Sequence, residues 1–325
     1  MAASRCAFLA ALLLAPAALA DYADHASAAA FTERMTREHG FEREAVEALL
    51  RDAKRQQSIL DAIARPAEKT KPWYEYRAIF LNDRREREGI EFMREHRATL
   101  ARAQAETGVP AEIIVAILGV ETYYGRVAGS YRVLDALATL AFDYPRRSPF
   151  FTGELENFLL LTREQGLDAT VLKGSYAGAM GYGQFMPSSY RAYANDFDGD
   201  GVADIWNNPV DAIGSVANYL ARHGWQEGEP IVSAARAAPD VPEALFDGNL
   251  KPQRSVGEFA AAGVVAEEAL DADAPAMAMR FELTDGNEYW LGLQNFYVIT
   301  RYNHSAMYAM SVFQLSQRIA AGVAG

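Results

Sequence analysis

One carboxylate interrupts the most apolar stretch of the chain, and it is well placed for acid–base chemistry. Residues 109–126 read VPAEIIVAILGVETYYGR, in which Ile114, Leu118 and Glu121 recur at helical spacing on one face. Apolar surroundings and the negative end of a helix both disfavour the anion, so we expect the pKa of Glu121 to be raised. A carboxylic acid that keeps its proton can protonate a glycosidic oxygen. From this helix alone, a structural ion pair is the commoner explanation for such a residue.

A run of aspartates forms a second candidate site. Residues 196–211 read DFDGDGVADIWNNPVD, and the first half matches the D-x-D-x-D-G start of a calcium loop. Val202 is placed to offer its carbonyl, but position 12 is Asn207 where the loop usually has glutamate, and the next carboxylate is Asp211. Clustered aspartates repel one another unless a cation or solvent intervenes. We therefore predict a weak calcium site, with a solvated acidic turn as the alternative.

Three further stretches could contact a ligand. Residues 71–77, KPWYEYR, place aromatic rings beside polar groups, which suits either stacking on sugar rings or packing between helices. Residues 143–147, DYPRR, carry two guanidiniums that could pair with ligand carboxylates or lie in solvent. Residues 174–187, GSYAGAMGYGQFMP, are rich in glycine, so the backbone there could approach a ligand closely. No strand precedes this stretch and no Lys-Ser/Thr follows it, which argues against a phosphate loop.

The elements that must position these residues are predicted to be mostly helices. Helical periodicity covers residues 41–65, 86–107, 133–142, 150–165, 211–223 and 305–321. Short strands are predicted at 231–235, 277–283, 289–293 and 297–300, in a region whose composition changes to Pro, Gly, Ala and acidic residues. The fold class expected is therefore mainly α with a small β-containing part.

The first twenty residues are predicted to be a secretory signal peptide. Arg5 precedes an apolar run from Ala7 to Ala17, and residues 18–20, ALA, fit a cleavage site. The run is too short to cross a membrane. Cys6, the sole cysteine, lies in the segment to be removed, so the mature chain would form no disulfide. We expect an exported, periplasmic protein that is soluble after removal of the signal peptide.

The charge balance limits the partners. The chain has 43 acidic and 31 basic residues, and its formal net charge is −12. Such a chain repels nucleic acid and anionic lipid overall, so we expect neither as a partner. The short apolar run of the signal peptide predicts no transmembrane span.

Five strings of residues resemble the lytic transglycosylases of bacterial cell walls, of the membrane-bound lytic transglycosylase B type. The strings are GVET at 119–122, YPRR at 144–147, GAMGYGQFMP at 178–187, VDAIGSVANY at 210–219 and ITRYNHS at 299–305. The resemblance covers the chain from about Trp73 to the end. It implies a largely helical, lysozyme-like core with helical and small β additions. Combined with the patterns above, this predicts an N-terminal helical region at 21–108, the core at 109–224, a small β-containing subdomain at 225–300 and a C-terminal helix at 301–325 that returns to the core.

The resemblance also implies an activity and the residues that perform it. Peptidoglycan would be cleaved at the β-1,4 bond between N-acetylmuramic acid and N-acetylglucosamine, leaving a 1,6-anhydro end, with Glu121 as the sole catalytic acid and no catalytic cofactor. Residues matching the sugar cleft are Tyr76, Gln184, Phe185, Met186, Tyr219, Tyr302, Asn303 and Tyr308. Arg146 and Arg147 match residues that face the stem peptide, and Asp196, Asp198, Asp200, Val202 and Asp211 match a structural calcium site.

Two departures from the family pattern accompany this resemblance. Asp211 follows Asp196 by one residue more than in the family's calcium loop. The cysteine that carries a lipid in the membrane-bound type is missing, so the chain resembles a soluble variant.

A single catalytic acid requires that neighbouring carboxylates take no part. Asp135, Asp143 and Glu154 are expected to face solvent or to cap helices. A muramidase that hydrolyses the same bond is one alternative, and a non-catalytic peptidoglycan-binding scaffold is another. A calcium sensor is a weaker one, because the chain has one degenerate loop and no paired second hand. We expect a monomer.

Overall fold

The structure is a computed structural model that describes residues 22–64 and 71–324. The predicted signal peptide and Cys6 therefore lie outside the described residues. The helices in the described residues are α1 (Ala28–His39), α2 (Arg43–Asp52), α3 (Gln57–Ile63), α4 (Trp73–Phe80), α5 (Asp83–Glu95), α6 (Arg97–Thr107), α7 (Ala111–Thr122), α8 (Val133–Asp143), α9 (Ser148–Glu164), α10 (Pro187–Tyr193), α11 (Pro209–Arg222), α12 (Val256–Ala261), α13 (Gln294–Tyr302) and α14 (Ala306–Ala324). The strands there are β1 (Tyr131–Arg132), β2 (Lys173–Gly174), β3 (Val232–Ala237), β4 (Arg254–Ser255), β5 (Val264–Ala266), β6 (Pro275–Leu283) and β7 (Gly286–Gly292).

Helix α7 lies at the centre of the helical part. It is buried at almost every position, so it carries no polar face, as expected of a helix surrounded by others. Helices α5, α6, α11 and α14 pack against it. In the part of the chain that the structure describes, no single helix is long and apolar enough to cross a membrane; α6 and α7 meet that criterion only as a pair bent by 113°.

Two segments that the periodicity predicts as single helices are each divided. Within the predicted segment 41–65, of which residue 65 lies outside the described residues, α2 and α3 form separately because the amides between them bind side chains of α8. Lys54 N donates to Asp135 Oδ1 (2.9 Å) and Gln56 N to Thr139 Oγ1 (3.1 Å). Residues 86–107 divide at His96, whose backbone leaves the helical region. In both places the apolar pattern continues across a change of direction, which periodicity alone does not detect.

A five-stranded antiparallel sheet forms the β part, in the order β4-β6-β7-β3-β5. Strands β3, β6 and β7 confirm three of the four predicted strands. The fourth prediction is wrong, because residues 297–300 lie in helix α13. Their β-branched side chains favour a strand, but Phe296, Val298, Ile299 and Thr300 are all buried in the core, and packing overrides the local preference. The domain boundaries at residues 108, 224 and 300 stay predictions.

Trp73 joins the sheet to the helical part. Its side chain is 2% exposed and its ring centroid lies 4.9 Å from that of Phe281 in β6. The indole Nε1 donates to Glu288 Oε1 of β7 at 2.5 Å. Helix α4, which begins at Trp73, is therefore fixed to the hairpin of β6 and β7.

We expect Trp73→Phe to lower the free energy of unfolding, since the ring packing stays but the bond to Glu288 is lost. A hydrogen bond to a charged, partly exposed group contributes about 1 to 2 kcal/mol. Trp225→Phe is the matched control, because the indole nitrogen of Trp225 has no hydrogen-bond partner among the described residues. Denaturant unfolding measures both, and an equal loss in the two variants would contradict the role of this bond.

Candidate active site

Glu121 lies in the last turn of α7 and is half-buried. Its Oε1 accepts a hydrogen bond from the hydroxyl of Tyr308, at 2.6 Å. Tyr308 is 2% exposed and belongs to the first turn of α14. The carboxylate predicted from the apolar helix thus meets a phenol from the other end of the sequence.

Two tyrosines near Glu121 keep their protons. Burial, followed by the negative charge of Glu121, raises the pKa of both Tyr302 and Tyr308 well above the usual value. An electrostatic interaction with Tyr76, a buried residue of α4, also raises the pKa of Tyr308. The side chain of Tyr76 therefore lies near Tyr308. Since neither Tyr302 nor Tyr308 ionises near neutral pH, both act there as hydrogen-bond donors.

Helix α7 ends abruptly beyond its carboxylate. Tyr123 and Tyr124 have φ values of 51° and 60°, a left-handed conformation that non-glycine residues rarely adopt. Their amides bind the last carbonyls of the helix, Tyr123 N to Gly119 O and Tyr124 N to Leu118 O, both at 3.1 Å. The helix therefore ends at Thr122, and Glu121 lies in its final turn.

Thr122 connects this helix end to the glycine-rich stretch. Its buried hydroxyl donates to Tyr182 O (2.8 Å) and accepts from Gly125 N (2.9 Å). Thr122 was not predicted as a site residue, although a hydroxyl next to the acid in the last turn of an apolar helix was an available signal.

The glycine-rich stretch folds into a tight turn beside Tyr302. Met180 and Phe185 exchange backbone hydrogen bonds of 2.9 Å, and Gln184 within the turn has a φ of 52°. The side-chain nitrogen Nε2 of Gln184 donates to Ala128 O (3.1 Å) and to Gly181 O (3.0 Å).

Gly183 is needed at the point where Tyr302 meets this turn. The hydroxyl of Tyr302 donates to Gly183 O at 2.5 Å. A Cβ at Gly183 would lie 2.7 Å from the Tyr302 hydroxyl, so a side chain there would displace the tyrosine.

Phe185, Tyr219 and Tyr302 form an aromatic cluster next to the turn. The ring centroids lie 5.8 Å apart for Phe185 and Tyr219, and 4.8 Å apart for Tyr219 and Tyr302. Tyr219 donates to Arg301 O at 2.6 Å, and burial raises the pKa of Tyr219 to about 12. The structure therefore brings these predicted cleft residues together with Tyr308 and Glu121.

The remaining predicted ligand contacts are more peripheral. Met186 is half-buried directly before α10, and Asn303 is half-buried between α13 and α14. Arg146 and Arg147 are exposed in a short 3-10 turn, where the Arg147 guanidinium lies 4.2 Å from the ring centroid of Phe150. That these two arginines contact a stem peptide stays a prediction.

The neighbouring carboxylates have other partners. Asp135 and Glu154 are only 4% and 5% exposed, so neither faces solvent, and of the two expected alternatives Glu154 takes the helix cap. Asp135 pairs with Arg132 at 2.8 Å, and Glu154 caps the start of α10 by accepting from Ser188 N and Oγ. Asp143 accepts from the hydroxyl of Tyr22 at 2.6 Å. Burial is tolerated because each carboxylate has hydrogen-bond donors.

Three carboxylates converge in the aspartate loop. One oxygen each from Asp196, Asp198 and Asp211 lie within 4.8 Å of one another. Asp211 is fully buried; burial raises its pKa, opposed by hydrogen bonds from Phe197 N and Asp204 N.

The other two predicted ligands lie further along the same loop. Asp200 is exposed and its Oδ1 accepts from Val202 N, while the Val202 carbonyl accepts from Asp204 N. The three converging carboxylates provide the hard oxygen donors that calcium prefers.

Comparison with known proteins identifies similar chains. A family model described as the transglycosylase SLT domain matches residues 23–317. The membrane-bound lytic murein transglycosylase B of Escherichia coli (strain K12) is 47% identical over 310 residues, covering 92% of this chain and 84% of the relative.

Two solved structures extend the similarity to the fold. The catenated lytic transglycosylase SltB1 of Pseudomonas aeruginosa is 56% identical with a TM-score of 0.90, covering 93% of this chain and all of that one. The E. coli lytic transglycosylase Slt35 in complex with calcium is 45% identical with a TM-score of 0.85, covering 94% of this chain and 96% of that one. The predicted mainly α, lysozyme-like fold is thereby confirmed.

We expect Tyr308→Phe to lower kcat by about 10- to 100-fold, the effect of losing one hydrogen bond to a charged group. The phenyl ring keeps the packing, so melting temperature should change little. Tyr190→Phe is the matched control, because it removes a buried hydroxyl that donates to Ala203 O at 2.8 Å, outside the Glu121 cluster. Turnover of purified cell wall measures both variants, and equal activities would argue against a role for the Tyr308 hydroxyl.

Proposed function

The chain belongs to the transglycosylase SLT family of lytic murein transglycosylases, which cleave the glycan strands of peptidoglycan, and we propose that Glu121 is its sole catalytic acid. The observation that carries this proposal is the hydrogen bond between Tyr308 and Glu121, because it fixes one carboxylate among groups that cannot themselves exchange protons near neutral pH. The bond cleaved is the β-1,4 bond between N-acetylmuramic acid and N-acetylglucosamine.

The reaction needs two proton transfers, and one carboxyl group performs both. Glu121 first donates its proton to the glycosidic oxygen as that bond breaks, while the N-acetyl carbonyl of muramic acid attacks its own anomeric carbon. The resulting carboxylate then takes the proton of the C6 hydroxyl, whose oxygen closes the 1,6-anhydro ring and regenerates the acetamido group. No water is consumed and Glu121 ends as it began. That Glu121 holds a proton near neutral pH stays a prediction.

The surrounding side chains orient the sugar in this proposal. Tyr302 and Tyr308 are fixed hydrogen-bond donors, and a rigid, preorganised site lowers the barrier without reorganising during the reaction. Residues that would line the sugar cleft with them are Tyr76, Gln184, Phe185, Met186, Tyr219 and Asn303. Arg146 and Arg147 would contact the stem peptide through its carboxylates.

A second carboxylate is the feature that would favour hydrolysis. Glycosidases that use two acids place them on either side of the scissile bond. Asp135, Asp143 and Glu154 each have other partners, as described above, which supports transglycosylation over hydrolysis.

The aspartate loop would hold a structural calcium ion. Asp196, Asp198 and Asp211 supply convergent oxygens, and Asp200 and the Val202 carbonyl complete the proposed set. A cation there would offset the repulsion between the carboxylates and so fix the connection between α10 and α11. The solved complex of Slt35 with calcium supports this proposal by similarity.

We also propose that the chain is exported to the periplasm, where its substrate lies. The N-terminal signal-like segment supports this placement. Action as a monomer stays a prediction.

We expect Glu121→Gln to fold normally and to release no anhydro-muropeptides from purified cell wall. The amide keeps the size of the side chain but can neither donate nor take up the proton at this step. Liquid chromatography with mass detection measures the products, and Glu112→Gln, at the opposite end of α7, is the matched control.

The masses of the wild-type products also separate the two mechanisms. Anhydro ends are lighter than hydrolysed ends by one water. Reducing muramic acid ends from the wild type would identify a muramidase, and anhydro products from Glu121→Gln would overturn the assignment of the acid.

We expect millimolar calcium to raise the melting temperature, since the calcium loops of extracellular modules bind the ion with a Kd of about 10⁻⁴ to 10⁻³ M. When the calcium concentration is a hundred times the Kd, the free energy of unfolding rises by about 2.7 kcal/mol. The double variant Asp196→Asn/Asp198→Asn should lose the shift. Asp247→Asn is the control, because Asp247 is also a loop aspartate that binds a backbone amide, in the β part. A shift that survives the double variant would place the ion elsewhere.

A further inference from the structure

Arg85 is a buried cation in the first turn of α5. It is 3% exposed, although arginine is rarely buried without a specific partner. The side-chain oxygen of Asn82 accepts from Arg85 N at 3.0 Å and so caps the start of the helix. The position of Arg85 is therefore set by its own backbone as well as by its guanidinium.

The guanidinium of Arg85 donates to two different helices. Its Nε donates to Gly119 O at 2.9 Å, in the last turn of α7 and two residues before Glu121. Its Nη1 donates to Ile79 O at 2.5 Å, in the last turn of α4 and three residues after Tyr76. The planar fork of an arginine can point donors in two fixed directions, which an ammonium group on a flexible stem does less well.

Arg85 also contacts the left-handed turn that follows Glu121. Its guanidinium carbon lies 3.7 Å from the ring centroid of Tyr123, and its backbone carbonyl accepts from the Tyr124 hydroxyl at 2.7 Å. Two successive non-glycine residues in this conformation persist only when their surroundings hold them there. Arg85 provides contacts to both.

The C-terminal ends of α4 and α7 have negative potential from their last carbonyls. Both ends face the guanidinium of Arg85. A positive group at a helix C-terminus is favourable, and the interaction is strongest where water is excluded. A single side chain thus compensates both helix ends and joins them.

We propose that Arg85 is a positioning residue for the reaction: it fixes the helix that carries Glu121 relative to the helix that carries Tyr76. This inference rests on the proposed role of Glu121. Arg85 itself does not touch the sugar in this proposal. It acts by holding the carboxylate at the distance that proton transfer requires.

The experiment compares Arg85→Lys and Arg85→Met with the wild type. Lysine keeps the charge but cannot reproduce the two-direction fork. Because a misplacement of about 1 Å can cost about 100-fold, we expect kcat to fall 10- to 100-fold in Arg85→Lys and further in Arg85→Met. The KM should stay within about threefold of the wild-type value, because substrate binding draws on many other contacts.

Arg163→Met is the matched control. The Arg163 guanidinium also lies over an aromatic ring, 4.0 Å from the centroid of Phe41, and donates to a backbone carbonyl, that of His39 at 2.8 Å. It lies on α9 and contacts neither α4 nor the end of α7 through these bonds. Its kcat should equal that of the wild type. All activities are measured well below each variant's melting temperature.

Substrate affinity in a Glu121→Gln background separates positioning from general loosening of the site. Adding Arg85→Lys to that background should leave the dissociation constant of a glycan fragment within about threefold. If Arg85→Met does not fold, Arg85→Lys decides the matter. A kcat within threefold of the wild type in Arg85→Lys, or a rise in KM without a fall in kcat, would overturn the inference.

The two proposals fail in different ways. Full turnover by Glu121→Gln would remove the proposed acid. An inactive Glu121→Gln together with a fully active Arg85→Lys would remove only the positioning role.

Discussion

A helix that ends inside a protein must find donors for its last carbonyls, and helix α7 does so beside the proposed catalytic acid. Leu118 O and Gly119 O accept from the amides of Tyr124 and Tyr123, and Gly119 O also accepts from Arg85. This requirement accounts for the left-handed turn and for the buried cation. With its backbone groups satisfied, the helix can end against other helices and leave the Glu121 carboxylate half-buried.

The same requirement shapes the neighbours of α7. The hydroxyl of Thr122 binds Tyr182 O and so joins the helix end to the glycine-rich turn. Within the glycine-rich turn, Gly183 O accepts a hydrogen bond from the hydroxyl of Tyr302. The acid, the turn and the aromatic cluster therefore form one connected unit, joined by these hydrogen bonds. Such a unit can hold a sugar ring in one orientation because few of its parts can move independently.

Much of the fold follows from the sequence, because long apolar repeats predict helices well. Helices α7, α8, α9 and α14 lie close to their predicted positions. The failures have local causes. The break between α2 and α3 depends on side chains of α8, which are distant in sequence, and residues 297–300 are helical because burial outweighs their β-branched preference.

The site was predictable only in part. Glu121 stands out as a charge in an apolar helix, whereas the surrounding tyrosines were identified through a family resemblance and not by any pattern of their own. The role of Arg85 was not predictable, because it lies in a highly charged segment that resembles a solvent-facing helix. Its burial depends on contacts with the ends of α4 and α7, and helical periodicity carries no information about such contacts.

The hydroxyl that binds Glu121 comes from a residue 187 positions later in the chain. Protein synthesis proceeds from the N-terminus, so α14, which supplies this hydroxyl, is made after the helix that carries Glu121. An unfinished chain therefore contains the acid without the group that orients it, and contacts so far apart in sequence form late in folding. The order of synthesis itself keeps the proposed acid apart from its orienting hydroxyl until α14 has been made.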